Sequence, residues 1–169
     1  MIGITREHTI ESNLIEREDS SLINESLWIA ARMCNIVTKE DKQLIHPKAL
    51  HLAVFDSVKA WFNWQPGRWR QYDVKVGSYQ PPSWKVVPGL MSGWWEDATL
   101  PLSIDNYSWD MHVEFESIHP FPDGNGRVGR LLYWAMQMIQ GQEPELIKAS
   151  ERQDYYRRLE DTRKVLENV

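Results

Sequence analysis

Prolines and glycines divide this chain into three parts, and the middle part reads as the least helical. Pro66-Gly67, Gly77, Pro81-Pro82 and Pro88-Gly89 crowd the stretch from Gln65 to Pro101. Proline lacks the donor that a helix interior needs, and at a turn it marks the edge of a sheet rather than its middle. Val74 and Val76 alternate with polar or charged neighbours, as do Trp84 and Val86. That pattern predicts a short hairpin, Tyr72–Gly77 and Ser83–Val87, around the tip Ser78-Tyr79-Gln80-Pro81-Pro82. A short helix is expected over Leu90–Glu96.

Both flanks carry helical spacing. Ser20-Ser21 reads as a helix start, with a candidate cap at Asn24 and apolar residues at Leu27, Ala30, Ala31 and Cys34. Pro47 suits the first turn of the next helix, where Leu50, Val54, Val58 and Phe62 recur. Beyond the middle, Ile104, Tyr107, Met111, Phe115 and Ile118 share one face, with Ser103 as a cap. His119-Pro120 ends that helix, because the residue before proline disfavours helical geometry. A new helix starts near Asn125 and runs through Leu131, Leu132, Ala135 and Met138 to a stop at Gly141. A last amphipathic helix is expected over about Ser150–Glu167. The fold class read here is mainly α, in one domain of 169 residues.

Composition limits the function. With 42% hydrophobic residues there is material for a core, and 25% charged residues sit near the globular average. A net charge of -5 argues against a sequence-independent nucleic-acid binder, which needs a basic surface, though it leaves room for a local basic pocket. Nine tryptophans then suit core and groove packing better than base stacking. The single cysteine, Cys34, fits a reducing compartment. Thr5 to Asn13 is polar and has no signal-peptide pattern, and no apolar run is long enough to cross a membrane. A soluble cytoplasmic protein is expected.

One segment carries chemistry: His119-Pro120-Phe121-Pro122-Asp123-Gly124-Asn125-Gly126-Arg127-Val128-Gly129-Arg130. A histidine at a helix-to-loop junction can point into a cleft. Gly-Asn-Gly leads straight into a helix, where exposed N–H groups and the helix dipole favour an anion. Arg127 and Arg130 stand three apart on one face of the first turn, where the dipole opposes a cation. A polyanion between them resolves that conflict, since a guanidinium grips phosphate oxygens in a bidentate fork. Asp123 beside phosphates calls for a bridging Mg²⁺. The residues alone suggest a Mg-polyphosphate site with a base beside it.

This segment resembles, position by position, the signature of the Fic family: His-Pro-Phe, a variable residue, Asp or Glu, Gly-Asn-Gly-Arg, two variable residues, Arg. Phe115-Glu116-Ser117-Ile118, Leu131-Leu132, Pro66-Gly67 to Arg70, Val74-Lys75-Val76-Gly77, Pro81-Pro82 and Val87-Pro88 to Leu90-Met91 resemble the family too. The resemblance spans roughly residues 9 to 160. It implies a Fic-type helical domain with a β-hairpin flap over the active site, and transfer of AMP from ATP to a Ser, Thr or Tyr hydroxyl of a target protein. It implies His119 as general base, Asp123 as Mg²⁺ ligand, and Gly124, Asn125 and Gly126 as an anion hole. Arg127 and Arg130 would neutralise the β- and γ-phosphates, and Phe121 would anchor the loop. Val76, Gly77, Ser78 and Tyr79 would lie in the flap, where a target segment pairs by main chain. Some Fic-like toxins carry lysine at the position of Gly126 and act as kinases, so glycine here favours AMP transfer. UMP or phosphocholine transfer and removal of AMP share nearly the same signature, and a nucleotide-sensing binding module is the non-enzymatic alternative.

Many Fic proteins also carry an inhibitory helix with Ser or Thr, three residues, Glu, then Gly or Asn. Ser12-Asn13-Leu14-Ile15-Glu16-Arg17 resembles it, with Arg17 in place of the small residue. Ser21 and Glu25 have the same spacing and are the alternative. The region expected to hold this helix is residues 1–35. His112, Glu116 and His119 share a helical face, and structural roles are favoured for His112 and Glu116 over metal ligation. His8, His46 and His51 have no partner pattern. Tyr155-Tyr156 suits the core or a place beside adenine. The target protein and oligomeric state are left open.

Overall fold

The computed structural model describes residues 3–17, 20–100 and 106–167. Among the described residues seven α-helices follow in order: α1 (Arg6–Ile15), α2 (Ser21–Glu40), α3 (Pro47–Phe55), α4 (Val87–Ala98), α5 (Tyr107–Ile118), α6 (Asn125–Ile139) and α7 (Arg152–Leu166). Short 3₁₀ turns at Asp56–Trp61 and Ala149–Glu151 extend α3 and lead into α7. No described helix is long and apolar enough to cross a membrane.

Helix α6 is the axis of the fold. It packs against α5, α2, α3 and α1, and from Arg127 to Gln137 every residue is buried. The sequence offers only a stripe at Leu131, Leu132, Ala135 and Met138, but a helix enclosed on all sides buries its polar face as well. α5 approaches α6 closely because Gly129 lacks a side chain: a Cβ there would collide with Glu116 Oε1. Leu27, Ala30, Ala31 and Cys34 of α2, with Leu50 and Val54 of α3, close the core from the other side. Burial pushes the Cys34 thiol up to about 12, which leaves it protonated.

Several local readings are corrected. Ser20, not Asn24, caps α2, its hydroxyl accepting from Ile23 N–H. Asn24 is inside the helix and its Oδ1 accepts from Asn13 Nδ2 at 2.5 Å. Ser103 and Ile104 lie outside the described residues. α4 is longer than the Leu90–Glu96 expected, with Pro88 in its first turn.

The hairpin is the largest difference. No strand is present among the described residues; Val76 and Tyr79 form one isolated antiparallel bridge, with Val76 N–H donating to Tyr79 O at 3.0 Å and Tyr79 N–H to Val76 O at 2.9 Å. Gly77 takes φ 58° at this two-residue turn, a conformation that suits glycine. The arms fail to pair as a ladder because side chains bond across them instead. Asp73 accepts from Trp84 N–H at 2.8 Å, Gln80 Nε2 donates to Val74 O at 2.8 Å, and Arg70 donates to the carbonyls of Tyr72 and Pro82. Pro81 and Pro82 have no N–H to give. The second arm is lost by Val87, which already starts α4.

Candidate nucleotide and catalytic site

The loop between α5 and α6 is held from four directions. His119 ends α5 in the left-handed region, φ 50° and ψ 60°. Phe121 is fully buried and stacks on His51, ring centroids 4.0 Å apart. Asn125 clamps Phe121 on both sides: Phe121 N–H donates to its Oδ1 at 2.8 Å, and its Nδ2 donates to Phe121 O at 2.9 Å. The Asn125 side chain therefore shapes the loop, and only its backbone is left to the anion hole that the resemblance implies. Gly124 takes φ 76°, and a Cβ there would collide with the Phe55 ring. Glycine is required for both reasons.

His51 was given no role by the sequence, yet it supports the loop. Gly67 N–H donates to its Nδ1 at 2.9 Å, so Nε2 carries the proton and donates to Asp123 O at 3.1 Å. Its only sequence signal is a polar residue beside the apolar positions Leu50 and Val54. Arg70 closes the Pro66-Gly67 to Arg70 stretch that resembles the family. It is buried, with 1% exposure, and bonds to the carbonyls at the end of α5.

At the start of α6 the two arginines of the signature are buried, Arg127 at 3% and Arg130 at 0% exposure. Asp123 is half exposed; its Oδ1 accepts from Gly124 N–H at 2.6 Å and stands 3.3 Å from Arg127 Nη2. Arg130 faces α1. Its Nη2 donates to Glu16 Oε1 at 2.7 Å and to Ser12 O at 3.0 Å, while Nε donates to Ser12 Oγ at 2.8 Å. Glu16 lies directly over Gly126, where any side chain would collide with its carboxylate. Glu25, the alternative, instead forms an exposed ion pair with Arg6 at 2.9 Å.

The site is strongly polarised. Burial alone would raise the Glu16 carboxyl, but Arg130, with Arg127 and Arg152 beyond it, holds it below the usual carboxylate range. Burial opposes the Arg130 charge too, and Tyr155, Glu16 and Glu116 overcome that and raise it. Glu116, buried behind Arg130, is pushed up to about 7 by burial and by Glu16. His112 serves the core: its Nε2 lies 2.9 Å from Tyr155 Oη. Tyr155 is likewise buried behind Arg130, whereas Tyr156 is more than a third exposed. Among the described residues no group of three or more His, Cys, Asp and Glu could hold a metal ion alone.

The histidines give a testable pH dependence. Burial pushes His51 and His119 down to about 4 and His112 to about 3. Unfolded, each takes a proton near its ordinary value of about 6.5. The unfolded chain then binds more protons between pH 6.5 and 4.5, so their contribution is present above 6.5 and lost as pH falls. Glu116 acts oppositely, its contribution being complete below 4.5 and lost as pH rises through about 7. His8 and His46, also pushed down by burial, add to these three, and Asp110 and Glu114, pushed up by burial, add to Glu116, so five histidines stand against three carboxyls. The urea midpoint should fall steadily from pH 6.5 to 4.5; a flat or rising midpoint would show that these rings are not held neutral.

Comparison with known proteins places this geometry in a family. The Fic/DOC family profile matches residues 43–136, and the chain belongs to that family. It is 35% identical over 106 residues to the probable protein adenylyltransferase aq_aa38 of Aquifex aeolicus, covering 60% of this chain and 33% of that protein. It is 35% identical over 94 residues to the protein adenylyltransferase Fic of Drosophila willistoni, covering 53% of this chain and 19% of that protein. The chain thus spans a third or less of the length of these relatives. Its fold is similar to a Fic domain containing signaling protein from Bacteroides thetaiotaomicron, TM-score 0.69 at 18% identity over 92% of this chain and 70% of that one. It is also similar to Fic-1 (aa134–508) from C. elegans, TM-score 0.71 at 23% identity over 84% of this chain and 44% of that one.

Proposed function

We propose that this chain transfers AMP from ATP to a hydroxyl of a target protein, and that Glu16 restrains the reaction. The observation that carries the first half is a histidine beside a helix N-terminus that bears two buried arginines. A cation at a helix N-terminus opposes the dipole, and an anion there offsets this; the carboxylates of Asp123 and Glu16 now take a place that phosphates would fill. The naming of the relatives as protein adenylyltransferases supports the reading.

In this reading the backbone of Gly124, Asn125 and Gly126 receives the α- and β-phosphates, and the arginines neutralise the β- and γ-phosphates. The target oxygen attacks the α-phosphorus in line. A new O–P bond forms, the bond to the β-phosphate oxygen breaks, and pyrophosphate leaves. His119 takes the hydroxyl proton. Burial pushes this ring down to about 4, assisted by Arg70 and Arg163 and opposed by the Glu116 carbonyl and Glu16. It is neutral at pH 7 and free to accept a proton. The segment Val76–Tyr79, with Val76 more than a third exposed, is the proposed docking edge, by its tight turn rather than by a hairpin ladder.

A Mg²⁺ ion fits Asp123, which is half exposed in the same loop. One carboxylate suffices when phosphate oxygens and water complete the shell. The ion would supply charge neutralisation between the phosphates. Asp123→Ala should cut activity on the order of 10²-fold, the size that several kcal/mol of lost charge stabilisation implies, and should shift the Mg²⁺ titration. An unchanged titration would remove Asp123 from the metal site.

The second half rests on Glu16. Ser12 and Glu16 take the Nε and Nη2 donors of Arg130, so while Glu16 holds that edge the triphosphate is misaligned for in-line attack. Transfer of UMP or phosphocholine is the second reading, and labelled UTP and CDP-choline offered in parallel with ATP separate them.

A further inference from the structure

Arg70 is a buried cation whose ion-pair partner among the described residues, Asp73, stands at the far limit of such a contact. Asp73 Oδ1 is 3.8 Å from Nη1 on a half-exposed side chain that already accepts from Trp84 N–H. Its partners are carbonyls from two directions. From the end of α5, Nε donates to His119 O at 2.8 Å and Nη2 to Ile118 O at 3.3 Å. From the segment before α4, Nη1 donates to Tyr72 O at 3.0 Å and Nη2 to Pro82 O at 2.5 Å. Its backbone N–H adds a bond to Pro120 O at 2.9 Å. The two carbonyls flanking His119 are thus bonded to Arg70, at the point where the backbone turns left-handed. A non-glycine residue keeps that conformation only where surrounding bonds hold it.

We infer that Arg70 is a positioning residue that fixes the catalytic histidine and the target-docking segment in one mutual register. This rests on the proposed AMP transfer. The planar fork is what allows it: five N–H donors radiate in one plane, whereas lysine offers three donors at one point. Misregister between base and bound hydroxyl by about an ångström costs on the order of 10²-fold in rate. Arg70 also contributes charge. The charged and polar groups facing His119 are Arg70, Glu16 at the end of α1, Arg163 of α7 and the Glu116 carbonyl. The Arg70 charge disfavours the protonated ring, so removing it lets His119 hold a proton to higher pH.

Two substitutions separate the roles. Arg70→Lys keeps the charge and loses the fork; Arg70→Gln loses the charge. Each is made in the Glu16→Gly protein and followed by self-labelling with α-labelled ATP. Both should retain the ATP concentration for half-saturation, while the rate at saturating ATP falls on the order of 10²-fold. The acid limb of the pH–rate profile should move to higher pH in Arg70→Gln and stay in Arg70→Lys. The His119 ring resonances, titrated without substrate, should move the same way. Arg70→Lys with the parental rate, or unmoved His119 titration in Arg70→Gln, would overturn the inference. So would loss of ATP affinity together with the rate, which would make Arg70 plain scaffold. If the Glu16→Gly parent itself labels nothing, AMP transfer fails as a reading, and the ring titration still decides the case of Arg70.

Discussion

Glu16→Gly should raise labelling by roughly 5- to 150-fold, the range a coupling of 1–3 kcal/mol between two states produces. The carboxylate now takes the guanidinium proposed for the γ-phosphate, at 2.7 Å, and places negative charge over Gly126 where phosphates would sit. Its removal frees one and relieves the other. Arg130 still donates to Ser12 Oγ and Ser12 O, and its Nη1 stands 3.4 Å from Tyr155 Oη, so the variant keeps its fold. Glu25→Gly is the control. It breaks only the exposed Arg6 pair, and exposed pairs contribute little, so labelling should not change. Activation by Glu25→Gly alone would reassign the restraint, and a wild type already as active as Glu16→Gly would make α1 plain scaffold.

His119→Ala should lower labelling by about 10²–10⁴-fold while ATP binding persists, the cost of losing a general base. The ring is proposed to meet the nucleophile rather than the phosphates, which Arg127, Arg130 and the loop backbone serve. A small residue in the left-handed position leaves the carbonyl bonded to Arg70, so the loop keeps its path. Comparison of ATP affinity and labelling in one preparation checks this. Near-normal labelling would remove His119 from the mechanism, and loss of ATP binding would show that it shapes the phosphate site.

The loop from His119 to Arg130 was legible because its chemistry is contiguous: base, acid, glycines and arginines follow one another within reach of one helix terminus. The Glu16–Arg130 contact joins residues 114 apart, and only the resemblance of Ser12–Arg17 to an inhibitory helix pointed to it. His51 and Arg70 were not legible in the same way. Their partners are backbone groups, which every residue carries, so no spacing in the sequence marks them. The hairpin was misread because alternation at Val74 and Val76 reports exposure, not pairing. The side chains of Arg70, Asp73 and Gln80 take the bonds a second strand would have used. Helix α6 showed only one apolar stripe because burial of its other face, Arg127 and Arg130 included, depends on what α1 and α5 bring to it.

The central claim is that AMP, not a terminal phosphate, passes to a protein hydroxyl. It is tested most directly by incubating Glu16→Gly protein with a cell lysate and either α-labelled or γ-labelled ATP, beside the Glu16→Gly/His119→Ala double variant. The account predicts protein bands labelled from the α-position only, equimolar release of pyrophosphate, and loss of those bands in the double variant. Label transferred from the γ-position, or α-labelled bands of equal strength without His119, would contradict it.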